Sequence, residues 1–79
     1  MKKSTFTKVQ SNKSFGDRIW FNQGMIFRNC TFGEGCHFGK DSAFWGCTFG
    51  AKCQILKDGY LNNCTLDPTV RLDQDVIVD

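Results

Sequence analysis

The chain has 79 residues, of which 41% are hydrophobic and 23% charged, and a formal net charge of +2. This length allows one small domain, and the composition is that of a folded globular protein, which argues against disorder. No apolar run approaches the roughly 18 residues that a membrane-spanning helix needs. Polar residues follow Met1 and two lysines, where a secretory signal would have an apolar segment. We therefore expect a cytoplasmic protein with no membrane partner.

The cysteines predict free thiols. Their number is five, which is odd, and no two of them form a C-x-x-C pair. An odd count without an export signal is typical of a reducing compartment, and zinc sites usually contain close cysteine pairs. We expect the cysteines to act as small buried hydrophobic side chains. The sequence therefore predicts no metal site and no cofactor.

An internal repeat organises the chain. The segment NCTFG at 29–33 recurs as GCTFG at 46–50 and as NCTLD at 63–67. Within each repeat a large apolar residue, here called a leader, recurs after six, six and five residues, which gives a period of seventeen. Seven of the eight phenylalanines are leaders. The full set of leaders is Phe15, Phe21, Phe27, Phe32, Phe38, Phe44, Phe49, Ile55, Leu61, Leu66, Leu72 and Val78.

The spacing around the leaders predicts short strands. A second, mostly smaller residue precedes each later leader by two positions, as Cys30 precedes Phe32. Residues two apart share one face of a strand, so both side chains would point inward. Polar or turn-forming residues follow each strand, and three strands with their corners make one three-sided coil.

The predicted fold is all-β. It is a single-stranded parallel β-solenoid (a triangular β-helix) of about four coils of 17 residues (6+6+5) over residues 15–79. The sequence leaves the handedness of the coil open. Residues 1–14 are expected to form an N-terminal cap or arm, with Phe6 and Val9 folding over the first coil.

The blocks FGEGCH at 32–37, FGKDSA at 38–43 and LDPTVR at 66–71 resemble the hexapeptide repeats of β-helix proteins. The resemblance covers residues 15–79 and departs from the pattern in its Phe-rich leaders and its five-residue third block. Bactofilins, which are cytoskeletal β-solenoids with short triangular coils, are a second similar class. Similarity to hexapeptide acyltransferases would make His37 the catalytic candidate. The chain has no loop excursion beside His37, and the repeat brings no acid or nucleophile to it, so we expect no catalytic residue and no enzyme.

One outward face of the predicted solenoid is apolar. Ile26, Ala43, Tyr60 and Ile77 fall one repeat apart, and Trp45 lies on the same strand as Ala43. The final coil, which contains Val76, Ile77 and Val78, would expose its core. The candidate interaction residues are therefore Ile26, Trp45, Leu56 (expected beside the apolar column), Tyr60, Val76, Ile77 and Val78.

Charge is polarised along the chain. Residues 1–28 contain six basic residues and one aspartate, a net charge of +5, whereas residues 58–79 contain five aspartates and one arginine, a net charge of −4. The sequence contains no basic stripe with interleaved aromatic residues, so we expect no nucleic-acid partner. We expect a non-enzymatic structural or interaction module that forms homo-oligomers through its open C-terminal coil, its exposed apolar face or both. The alternatives are a small accessory, phage-encoded protein that binds a host protein through the Tyr60 and Ile77 face, and an acyltransferase of the hexapeptide type.

Overall fold

Short parallel strands stack into coils in the computed structural model, which describes residues 8–79. The strands are β1 (Val9–Ser11), β2 (Ile26–Arg28), β3 (Thr31–Phe32), β4 (His37–Phe38), β5 (Ala43–Trp45), β6 (Thr48–Phe49), β7 (Gln54–Ile55), β8 (Tyr60–Asn62), β9 (Thr65–Leu66), β10 (Arg71–Leu72) and β11 (Ile77–Val78). Residues 8–79 contain no helix. The predicted fold is confirmed as a β-solenoid of about four turns, with coils of about 17 residues.

Three parallel sheets form the sides of the solenoid. Their strand orders are β1-β2-β5-β8-β11, β4-β7-β10 and β3-β6-β9. Each residue pairs with its equivalent in the next coil, as Phe27 pairs with Phe44 and Phe44 with Leu61. Isolated bridges from Ser14 to Thr31 and from Trp20 to His37 extend the first coil to the other two sides.

The leaders form the core. Phe27, Phe38, Phe44, Ile55 and Leu61 have no exposed surface. Rings in successive coils stack at centroid distances near 5 Å, and rings on neighbouring sides of one coil meet edge to face. Both arrangements are favourable for aromatic pairs. Cysteine side chains fill the space beside the rings.

Left-handed backbone conformations close the corners of the coils. Positive φ angles occur at Asn12, Arg18, Gly24, Asn29, Gly35, Asp41, Gly46, Lys52, Asp58, Asn63 and Asp75. These positions fall into three series, one for each corner of the triangle, and successive members of a series lie one coil apart. Only glycine takes this conformation without a steric cost, and asparagine and aspartate tolerate it best among the other residues.

Thr69 is the next position in the series Arg18, Gly35 and Lys52, but it does not have a positive φ angle. The Asp67 carboxylate accepts hydrogen bonds from the backbone N–H of Thr69 (2.9 Å) and from its hydroxyl (2.6 Å). The Thr69 hydroxyl oxygen in turn accepts the N–H of Lys52 at 2.8 Å. The equivalent of Lys52 one coil earlier is Gly35, and its N–H donates to the backbone carbonyl of Ala51. A side chain therefore replaces the backbone acceptor where the single proline alters the turn.

Parallel pairing begins at Val9, earlier than residue 15, where the leaders start. Val9–Ser11 pairs with Ile26–Arg28, and Gln10 occupies the position of a leader. Gln10 is buried, whereas the Val9 side chain is 52% exposed, so Val9 lies on the outside and does not fold over the core. The sequence pattern did not predict this strand, because a polar residue, Gln10, stands where the repeat would have an apolar leader. Phe6 lies outside the described residues.

Ile55 and Leu72 occupy equivalent positions in successive coils, but Ile55 is fully buried and Leu72 is 40% exposed. Replacing Ile55 with alanine should lower the free energy of unfolding by about 2–5 kcal/mol, because it removes buried contacts and leaves a cavity. Leu72→Ala should cost about 1 kcal/mol, since no coil encloses that side chain. Urea unfolding measures both values. Equal losses would contradict the burial gradient.

Gly46 has a φ of +64°, and an added Cβ would lie 2.7 Å from the Asn29 side-chain oxygen. Gly46→Ala should therefore destabilise the protein by about 1–2 kcal/mol. Gly16 is the matched control, because an added Cβ there meets nothing within 4 Å and its φ is not positive. Gly16→Ala should change stability by about 0.5 kcal/mol at most. Thermal unfolding of the two variants compares them, and an equal effect would exclude the backbone explanation.

Candidate interaction surfaces

The solvent-facing side of the five-stranded sheet, here called the outer face, consists of two columns of side chains. The first column is Val9, Ile26, Ala43, Tyr60 and Ile77, and the second is Ser11, Arg28, Trp45, Asn62 and Asp79. The first column contains the apolar residues predicted from the sequence, together with Val9, which the prediction did not include. Extending the repeat back by one coil from Ile26 leads to Val9, in the segment that the sequence assigns to a cap.

Contacts within the outer face hold its aromatic residues in place. The rings of Trp45 and Tyr60 lie 5.6 Å apart, and the guanidinium carbon of Arg28 lies 5.5 Å above the Trp45 ring. The Tyr60 hydroxyl donates to the Asp79 carboxylate (3.1 Å) and accepts from the Asn62 amide (3.2 Å). The face therefore runs from a cation at Arg28, across two aromatic rings, to an anion at Asp79.

Leu56 lies elsewhere than the sequence placed it. Its side chain is 36% exposed and, with Trp20 and His37, lines a cleft of about 510 Å³ beside the β4-β7-β10 sheet. Leu56 follows β7 at the corner between two sheets, and it turns toward the sheet that does not contain Trp45 and Tyr60. It is therefore not part of the outer face.

The His37 ring packs against the Trp20 ring, with centroids 4.7 Å apart and ring planes inclined by 32°. It lies in the outward column predicted from the repeat, between Trp20 and Gln54. The cleft beside it is also lined by Asn22, Gln23 and Lys40. This arrangement packs the imidazole against an indole, and among the described residues the lining of this cleft includes no acid or nucleophile that could act with it.

The last coil, β9 to β11, exposes residues whose equivalents one coil earlier are buried. Val78 is 56% exposed and Leu72 is 40% exposed, whereas Leu61 and Ile55 have no exposed surface. Each of the three strands is the final strand of its sheet. Ile77 is 60% exposed on the outer face, and Val76 is half-buried against the core.

Within residues 8–79, no further coil pairs with the backbone on the outer side of the last coil. N–H groups that point toward the next coil donate to a carbonyl of that coil, as Phe21 donates to His37 at 2.8 Å. The last such bond runs from Asn63 to the carbonyl of Asp79, at 3.5 Å. For later N–H groups of this kind the acceptor would lie beyond residue 79. The last coil therefore presents both apolar side chains and an edge able to pair with another strand.

The cysteine thiols are free and lie in two columns. Those of Cys30, Cys47 and Cys64 each lie 3.6 Å from a backbone carbonyl oxygen of the preceding coil. Cys64, in the last coil, is half-buried, and the others are buried. Residues 8–79 contain no group of three or more histidine, cysteine or acidic side chains able to hold a metal ion.

Stacking couples the thiols electrostatically. The hydrogen bond between the Cys47 and Cys64 thiols raises the pKa of Cys47, and burial adds to the rise. The same hydrogen bond lowers the pKa of Cys64. Cys53 and Cys36 form a second pair, with the pKa raised at Cys53 and lowered at Cys36. Cys64 is therefore both the more accessible thiol of its pair and the one that ionises at lower pH.

No protein-family model matches the chain, and no curated protein matches it significantly. The geometry establishes a β-solenoid and assigns no family within that architecture. In the part of the chain that the structure describes, no helix is long and apolar enough to cross a membrane.

Cys64 should be the first thiol to react with iodoacetamide. The thiolate is the reactive form, so the lowered pKa of Cys64 predicts half-maximal alkylation at a pH below that of an ordinary cysteine. Cys47→Ala should move this midpoint to higher pH, because it removes the thiol that donates to Cys64. Cys53→Ala, in the other column, is the control and should leave the midpoint unchanged. Mass spectrometry of the alkylated peptides across pH gives the profiles. An unchanged midpoint in Cys47→Ala would contradict the coupling.

Proposed function

We propose that this chain is a non-enzymatic structural or interaction module that associates with copies of itself through its last coil. The supporting observation is the contrast between successive leaders, since Leu61 has no exposed surface and Val78 is 56% exposed. Solenoids need their terminal coils covered, because an open coil exposes both core and unpaired backbone. A second copy offers strands of the same geometry.

The size of the end of the solenoid sets the expected strength of this contact. The molecule measures 26 × 22 × 21 Å, so an end face would bury roughly 400 Å² per copy, about half of a standard interface. A contact this small lies at the low end of specific interfaces, so we expect association to be weak. Within the solenoid architecture, we propose that the coils belong to the hexapeptide-repeat or bactofilin-like class. The blocks at 32–37 and 38–43 support this assignment, as does the small residue that precedes most leaders by two positions.

The surroundings of His37 support a non-enzymatic role. Its ring lies against Trp20, and catalysis by a histidine requires a substrate group within hydrogen-bond reach and usually a partner that orients the imidazole. The chain should show no turnover of an acyl-CoA with an amine or alcohol acceptor. Turnover that His37→Ala abolishes would establish the acyltransferase alternative and overturn this part of the proposal.

A second candidate function is binding to a different protein, as a small accessory factor that modulates a host protein. The outer face favours this alternative, because it exposes Ile77 and Trp45 along the side of the solenoid and not at its end. Copurification from a lysate of a stoichiometric protein other than the chain itself, lost in an Ile77→Asp variant, would support it.

Leu72→Asp should abolish association through the last coil. The substitution places a charge on the exposed end of the solenoid, where burial against a second copy would be costly. Thr48→Asp adds the same charge on an exposed side of a middle coil and is the matched control. Sedimentation equilibrium over roughly 10 µM to 1 mM, a range suited to a weak contact, should show a rising mass for Thr48→Asp and for the unaltered chain. A constant monomer mass for the unaltered chain would refute the proposal.

A further inference from the structure

The outer face combines exposed apolar side chains with a charge gradient. Val9 and Ile77, at the two ends of its first column, are 52% and 60% exposed. In the second column Arg28 lies near one end and Asp79 at the other, with Trp45 midway. Apolar groups flanked by opposite charges are typical of a recognition surface.

We infer that the outer face binds the outer face of a second copy, with the two solenoid axes antiparallel. This contact is separate from the proposed contact at the last coil, because the outer face lies along the solenoid and not at its end. A two-fold axis parallel to the strands at the level of β5 would place each column opposite itself in reverse order. Val9 would then lie opposite Ile77 of the second copy, and Ile26 opposite Tyr60.

Charge decides between the two possible two-fold arrangements. In the antiparallel arrangement, Arg28 lies opposite Asn62 of the second copy and is offset from its Asp79 by only one coil spacing, ~4.8 Å along the solenoid axis. With parallel axes, the basic ends of two copies would meet, and so would their acidic ends, which costs energy through like-charge repulsion. The gradient therefore favours the antiparallel of the two arrangements, and the resulting dimer is closed and isologous.

The aromatic residues lie where such a dimer would gain most. Trp45 is next to the two-fold axis, so the indoles of the two copies meet at the centre of the contact. Central tryptophans commonly dominate interface energies. The contacts of Trp45 with Tyr60 and Arg28 already fix its position in the single chain, so little side-chain entropy is lost on binding.

Trp45→Ser should weaken self-association at least tenfold. Trp20→Ser is the matched control, because Trp20 is exposed to nearly the same extent, 38% against 36%, on a different sheet. Sedimentation equilibrium up to millimolar concentration compares both variants in a Leu72→Asp background, which removes the last-coil contact. Circular dichroism of each variant checks that the solenoid is folded. Equal association of the two variants would overturn the inference and leave the proposed function intact.

A charge exchange tests the antiparallel orientation. Arg28→Asp and Asp79→Arg should each weaken the dimer several-fold, and combining them should restore most of the loss, because each new charge meets its opposite on the second copy. Failure of the double variant to recover would contradict the antiparallel arrangement. As a measurement that needs no interface variant, Trp45 fluorescence in a Trp20→Phe chain should shift to shorter wavelength as concentration rises. An emission maximum independent of concentration would overturn the inference.

Discussion

The structure depends on parallel pairing between each residue and its equivalent in the next coil. This pairing brings Phe27 over Phe44 and Phe44 over Leu61, so one apolar residue per block is enough to build a continuous core. A coil alone cannot bury its leader, because each ring needs neighbours above and below. Ring stacking within columns and edge-to-face contact between columns both follow from this register.

The same constraint produces the surfaces available for association. Outward side chains fall into columns for the same reason that leaders do, which assembles the outer face from residues distant in sequence. The last coil of residues 8–79 exposes leaders such as Val78 and, within these residues, an unpaired strand edge. Both surfaces proposed for self-association, the last coil and the outer face, arise from the repeat itself and require no additional motif.

Much of this architecture could be predicted from the sequence, because the leaders and corners repeat their chemistry. The first strand could not, since Gln10 stands where a leader would be. The direction of Leu56 could not be predicted either, because a corner residue can turn toward either adjoining sheet. The hydrogen bonds that join Tyr60 to Asn62 and Asp79 could not be predicted either, because they depend on how the side chains meet once the coils are stacked. The Thr69 turn likewise departs from the repeat through a local side-chain bond to Asp67.

The most direct test of the account is the measurement of scalar couplings across backbone hydrogen bonds by NMR. The Phe21 amide nitrogen should couple to the carbonyl carbon of His37, and the His37 amide to that of Ile19, which reproduces the parallel ladder between successive coils. Equivalent couplings should recur once per coil along the chain. Couplings that instead join residues whose numbers sum to a constant would indicate antiparallel hairpins and contradict the stacked-coil structure.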